Sequence, residues 1–232
     1  MSMVDIADNI KKTRDAIAEA AIKSSRAPGD ITLVAASKTK SADMVRQAIA
    51  AGVDAVGENR VQEMLEKRDL GAYQGAPLHF IGHLQSNKAA RIVGVCDLIE
   101  SVGSPALIEL IGKKSVLLGI VQNILIEINI GKEPQKSGVL PERIYETLDL
   151  ASRISGVRVL GLMAVPPVDV DFERNCNYFD AMFNLYVDIG GKKYDNVSMD
   201  FLSMGMSDSY PQAIMAGSNM VRIGSAIFGA RP

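Results

Sequence analysis

The stretch ITLVAASKTKSADMVRQAIAAGVDAVGENR, residues 31–60, decides how the chain folds. It opens on ITLVAAS, an almost wholly apolar run that reads as a strand buried on both faces. SADMVRQAIAAG follows as a helical pattern that opens on Ser41 and closes on Gly52, the residue types that cap helix ends. A second short run, DAVGE from Asp54, reads as the next strand. Strand, helix and strand at this spacing make a parallel β/α unit. The turn after the first strand reads SKTKSAD and holds no glycine. An open doubly wound sheet would want a Gly-rich phosphate turn there, so the dinucleotide-binding arrangement is disfavoured.

The same texture runs through the rest of the chain. HFIGH from His79, DLIESV from Asp97, NILIEINI from Asn123, RVLGLMAV from Arg158, SMDFLSMG from Ser198 and NMVRIG from Asn219 bring the strands to eight. Helical patterns separate them: NRVQEMLEKR, SNKAARIVG, PALIELIG (closing on Gly112), PERIYETLDLASRISG and ERNCNYFDAMFNLY. Eight such units predict an α/β fold, a single closed (β/α)8 TIM barrel that takes residues 1–232 as one domain. Ahead of them, from about Asp5 to Arg26, Ile6, Ile10, Ile17 and Ala21 share one helical face, and the pattern stops before Pro28-Gly29-Asp30. The barrel is therefore expected to carry an extra N-terminal helix.

Composition narrows the function classes. A chain of 232 residues hides roughly 70–75% of its unfolded surface and needs no staple. Lys and Arg total 25 against 27 Asp and Glu, a formal charge of −2. Without a net positive field, nucleic acid is not an expected partner, because phosphate neutralisation supplies most of that affinity. Aromatics are 5% with no Trp, so stacking platforms are scarce. No apolar run approaches the ~18 residues of a membrane span, so no membrane partner is expected either. The start MSMVDIADNIKK carries acids and no apolar core, unlike a signal peptide. Two lone cysteines, Cys96 and Cys176, read as a reducing compartment, the cytoplasm.

Barrel chemistry sits at the C-terminal ends of strands. Lys38 stands there, after an apolar approach that disfavours the charged amine and suits attack on a carbonyl as a Schiff base. The competing reading is a solvated loop lysine. Arg222 lies inside the apolar strand NMVRIG and cannot shed its proton, so it needs acceptors, from an internal ion pair with Glu100 or Glu127 or from a ligand. Gly224 and Ser225 would open a short terminal helix, and Ser207 adds a hydroxyl from the preceding loop. Barrels often hold phosphate there, although two tight turns explain the glycines equally well. Closure sets strand one beside strand eight, about 4.8 Å away, so Lys38 and Arg222 meet at one end. A ligand with an aldehyde at one end and a phosphate at the other, such as pyridoxal phosphate, fits that pair of features.

Other groups read as structural. His79 and His83 lie on a strand pattern, too far apart for one metal ion and without a third ligand. Asp54, Glu58 and Asp200 sit at strand edges and read as solvated or capping carboxylates. Gly112-Lys113-Lys114 lacks the earlier glycine and the hydroxyl of a nucleotide loop.

Seven motifs together then carry a resemblance over nearly the whole chain. They are VAASKTK around Lys38, GENRVQE from Gly57, HFIGHLQSNK from His79, KSGV from Lys136, GLMAV from Gly161, LSMGMSDS from Leu202 and MVRIGSAIFGAR from Met220. The chain resembles the pyridoxal phosphate homeostasis proteins, single-domain relatives of the alanine racemase barrel. The resemblance implies that Lys38 forms the Schiff base with pyridoxal 5'-phosphate. It implies that Ser207, Gly224 and Ser225 hold the phosphate, that Arg222 meets the pyridine nitrogen, and that Asn59 and Met204 lie beside the cofactor. It further implies a cytosolic monomer or weak dimer that buffers or delivers the cofactor, with apo pyridoxal-phosphate enzymes as recipients. Lys88 and Lys136, in loops near the expected mouth, are candidate second acceptors. Arg60, His83 and Ser209-Tyr210-Pro211 depart from the common pattern.

An arginine at the ring nitrogen donates and cannot accept, which leaves the ring a poorer electron sink. Amino-acid racemisation, the alternative function, also needs a second base. In the racemase relatives that base is a tyrosine from an extra β-domain of a partner subunit, which this sequence is expected to lack, with Tyr210 a remote substitute. A carrier is expected rather than an enzyme.

Overall fold

A computed structural model describes residues 4–167 and 172–229. The first element is α1 (Ile6–Lys23), capped by the Asp5 carboxylate, which accepts from the Asp8 N–H at 3.0 Å. The strands and helices then alternate: β1 (Thr32–Ala36), α2 (Ala42–Ala50), β2 (Ala55–Glu58), α3 (Val61–Asp69), β3 (Leu78–Phe80), α4 (Ser86–Ala89) and β4 (Leu98–Val102). They continue through α5 (Pro105–Leu118), β5 (Gln122–Ile128), α6 (Ile144–Ala151), β6 (Val157–Ala164), α7 (Phe172–Gly190), β7 (Val197–Ser203), α8 (Tyr210–Met215), β8 (Met220–Ile223) and α9 (Ser225–Phe228). The strands run in sequence order and close into a parallel barrel, so the eight-unit reading and the extra N-terminal helix both hold. Among the described residues no helix is long and apolar enough to cross a membrane.

The chain divides into two compact units. The first comprises residues 4–81 and 204–229. Here β1 is central, with β8 on one side (Val34 opposite Arg222, Ala35 opposite Ile223) and β2 on the other (Ala36 opposite Gly57). Strand β3 follows β2, with Val56 opposite Leu78. α1 covers this unit through Ile6, Ile10, Ile17 and Ala21, all buried, and packs on α8 and α9. Burying a large aliphatic side chain stabilises by about 1.5–3 kcal/mol, so this one face accounts for the helix without any contribution from the barrel's chemistry.

The second unit, residues 82–203, carries β4 to β7 in parallel register. Two expectations shift here. The PALIELIG helix does not close on Gly112 but runs through it to Leu118, and Gly119, at φ +67°, makes the left-handed C-cap. Gly112 sits in the buried face instead, where α5 packs against the Ile154–Ser155 turn. β7 is half-exposed over its first residues and buried only at Leu202 and Ser203, so it is not apolar on both faces throughout.

Candidate functional site

Every residue of the site lies in the unit formed by residues 4–81 and 204–229. Beyond β1 the chain makes a tight turn, the Lys40 N–H donating to the Ser37 carbonyl at 3.1 Å, and Lys38 rides on it half-buried. Beyond β2 comes Asn59. Ala36 and Gly57 are register partners, so Lys38 and Asn59 leave neighbouring strands at the same level. Beyond β8 the chain turns directly into α9. The loop that follows β7 is stitched to β8 through its backbone: the Arg222 N–H donates to the Gly205 carbonyl at 3.1 Å, and the Ser218 hydroxyl to the Met204 carbonyl at 2.9 Å.

These strand ends enclose a cavity of about 230 Å³. Lys38, Arg222, Ser207, Gly224 and Ser225 all line it. Asn59 and Met204 are not among the lining residues; Met204 is fully buried behind the loop, and Met206 reaches the cavity in its place. Lys40 and Asp208, which sequence reasoning passed over, also line it. Lys40 reaches across to the Phe228 and Gly229 carbonyls at 3.2 and 3.4 Å, a cation at the C-terminal end of α9 that ties the helix to the Lys38 turn. Three cationic side chains against one carboxylate give the cavity a positive field suited to an anion.

Four details bear on whether a phosphate-bearing aldehyde fits. The Gly224 and Ala226 N–H groups both donate to Ser207 Oγ at 3.3 Å, at the long end for such bonds, so two backbone donors and a hydroxyl converge on one point. A Cβ on Gly224 would stand 3.1 Å from the Ala36 carbonyl oxygen, a tight contact that glycine avoids where the start of α9 approaches β1. Arg222, 4% exposed in β8, lines the same cavity as Lys38. Outside that lining, just past β2, Asn59 Oδ1 is buried with no hydrogen-bond partner among the described residues, an acceptor that a bound donor would satisfy. The residues fit an aldehyde-phosphate with a nitrogen ring between its ends.

One reading of the carboxylates is overturned. Glu58 is not solvated but fully buried, with Lys67 Nζ at 2.7 Å, the Ser37 hydroxyl at 2.6 Å and the Tyr73 hydroxyl at 3.1 Å, all on Oε1. Burial pushes its carboxyl above the usual carboxylate range, against the pull of Lys67. Burial and the neighbouring carboxylate push the Tyr73 phenol up as well, so it stays protonated and donates. No sequence signal marked Lys67 beyond its place four residues after Glu63. Asp54, by contrast, does sit at a strand edge, accepting from the Leu33 N–H at 2.6 Å and pairing with Arg14 at 2.9 Å. Asp200 is exposed and bonds the Ser198 hydroxyl at 2.7 Å. His79 is buried in β3. In the other unit, Lys88 is exposed in α4, and Lys136 pairs with Glu133 at 2.6 Å.

Comparison with known proteins places the chain in a family. Residues 7–232 match the family described as the alanine racemase N-terminal domain. The pyridoxal phosphate homeostasis protein of Escherichia coli K12 is 39% identical over 233 residues, which cover 99% of this chain and 98% of that one. The protein of the same name from Aquifex aeolicus is 35% identical, covering 97% of each. PipY of Synechococcus elongatus, solved with pyridoxal phosphate bound, superposes with a TM-score of 0.83 at 30% identity, covering 97% of this chain and 100% of PipY. On matches that run nearly end to end, the chain belongs to the pyridoxal phosphate homeostasis proteins, within the family of the alanine racemase N-terminal domain.

Proposed function

We propose that this chain, as one domain over residues 1–232, binds pyridoxal 5'-phosphate through a Schiff base at Lys38 and takes part in vitamin B6 homeostasis in the cytoplasm. In this reading it buffers the cofactor or delivers it to apo pyridoxal-phosphate enzymes, and it acts as a monomer or weak dimer. The observation that carries it is the convergence of Lys38, Arg222 and the Ser207–Gly224–Ser225 cradle on one cavity. The names of the E. coli and Aquifex relatives and the bound state of PipY support it.

The cofactor supplies an aldehyde, which a neutral amine converts to an imine with loss of one water. The protein's part is to present that amine and to orient the rest of the ligand. Ser207 and the backbone N–H groups opening α9 hold the phosphate, with Lys40 adding charge nearby. Arg222 donates to the ring nitrogen and keeps it unprotonated, which weakens the ring as an electron sink and favours carriage over turnover. Asn59, from the end of β2, and Met204, from the loop that carries Ser207, lie beside the cofactor in this reading.

The test is a titration of the purified chain with pyridoxal phosphate, followed by borohydride reduction and peptide mass spectrometry. The expected result is a visible absorbance band and one pyridoxyl group on Lys38, both lost in Lys38→Ala. A label confined to another lysine would defeat the proposal. Gly224→Ala should weaken the phosphorylated vitamer by about tenfold while leaving pyridoxal itself nearly unaffected, because the added methyl presses on the Ala36 carbonyl and moves the α9 donors. Equal affinity of this variant and the parent for pyridoxal phosphate would remove the cradle from the reading.

A further inference from the structure

The Cα–Cβ direction of Lys38 is set by the two peptide planes on either side of it. Both planes are tied to a single buried cation. The Ser37 carbonyl, in the plane before Lys38, accepts from Lys67 Nζ at 2.8 Å. The Thr39 N–H, in the plane after it, donates to Glu63 Oε1 at 2.5 Å, and that same oxygen accepts from Lys67 Nζ at 2.8 Å. The third Lys67 N–H goes to Glu58 Oε1 at 2.7 Å. An ammonium has three donors, and here all three are used. Lys67 is 5% exposed, so its bonds to Ser37 and Glu58 form away from competing water, while the Thr39–Glu63 bond lies at the surface.

The turn so held is not a relaxed one. Thr39 adopts φ +63°, in the left-handed region that β-branched residues rarely enter. Such a conformation persists where its surroundings over-determine it, and it recurs beside functional groups. The bonds flank Lys38, the residue of the turn whose amine the proposed function uses.

We propose that Lys67 is a positioning residue for Lys38, fixing through the Ser37 carbonyl and through Glu63 the two peptides that aim its amine into the cavity. This rests on the reading of Lys38 as the amine that links the cofactor. In that step Lys38 Nζ adds to the aldehyde carbon, a carbon–nitrogen double bond forms, and the aldehyde oxygen leaves as water. Lys67 takes no part in the bond changes.

Glu63→Ala and Glu63→Gln separate aiming from mere packing. Glu63 is partly exposed and Lys67 keeps two acceptors without it, so both variants should fold, which thermal melts would verify. In cofactor-free protein, Glu63→Ala should speed hydrogen exchange at the Thr39 amide by about tenfold or more. Its affinity for pyridoxal phosphate should fall by about tenfold, the loss expected for one charge-assisted hydrogen bond, with the reduced label spreading beyond Lys38. Glu63→Gln keeps an acceptor for Thr39 and should recover most of both effects. Parent-like affinity, exchange and labelling in Glu63→Ala would overturn the proposal, as would equal losses in the two variants. A parent chain labelled elsewhere than Lys38 would instead sink the cofactor reading itself, and it is read before any variant is made.

Discussion

Exchanging Lys67 for methionine is expected to cost about 3–5 kcal/mol of stability at pH 7, and to cost less as the solution is acidified. The substitution keeps volume and removes the cation, leaving Glu58 fully buried with only two hydroxyl donors, Ser37 and Tyr73. The Glu58 carboxyl is already raised above its ordinary value of 4.5 by burial, and Lys67 is the chief influence pulling it back down. Without Lys67 the folded-state value climbs further, while the unfolded value stays put. A carboxyl raised on folding carries no penalty below its unfolded value and the full penalty above its folded one. Stability of the variant should therefore recover as pH falls from 7 toward about 5, by up to about 1.4 kcal/mol per pH unit. The parent should show the same sign with a smaller slope. Urea melts of both proteins at the two pH values measure it, and a loss that does not change with pH would show that Glu58 is not the group left stranded.

Gly161→Ala is expected to be as severe for a different reason. Gly161 lies in β6 opposite Phe201 of β7, just past a shift in register, at φ +146°. A Cβ there would stand 1.8 Å from the Phe201 carbonyl oxygen and 2.8 Å from its carbon. Neither atom belongs to a side chain that can rotate away, so the two strands must part. We expect a loss of at least about 4 kcal/mol, or roughly 8–16 °C in melting temperature for a chain of this size. A melting point within 3 °C of the parent would contradict the strand geometry. The GLMAV motif thus has a packing explanation within residues 82–203, whatever role its family resemblance suggests.

Most strands were legible because a strand buried on both faces cannot tolerate a solvated residue and so appears as a short apolar run, β7 with its exposed Asp200 being an exception. Helix ends were less so. PALIELIG ends on a glycine, yet the helix continues to Leu118, because whether a glycine stops a helix or lets it pack closely depends on what stands opposite. Strand-end positions and closure predict Lys38, Arg222, Ser207, Gly224 and Ser225 at one mouth, and in the structure all five line one cavity. Glu58 was misread because DAVGE looks like any strand edge. Lys67 was missed because an i,i+4 partner of Glu63 usually marks a solvated helix face.

What the amino-acid order determined by itself was the alternation of eight apolar runs with capped helices, and hence the barrel, since burying those runs has few solutions. Only the tertiary structure decided which charges are solvated. That question is settled by partners far along the chain, as when Lys67 meets the Ser37 carbonyl 30 residues away. Burial of an ion is costly unless such partners are complete, and completeness is a property of the assembled fold, which no local pattern encodes.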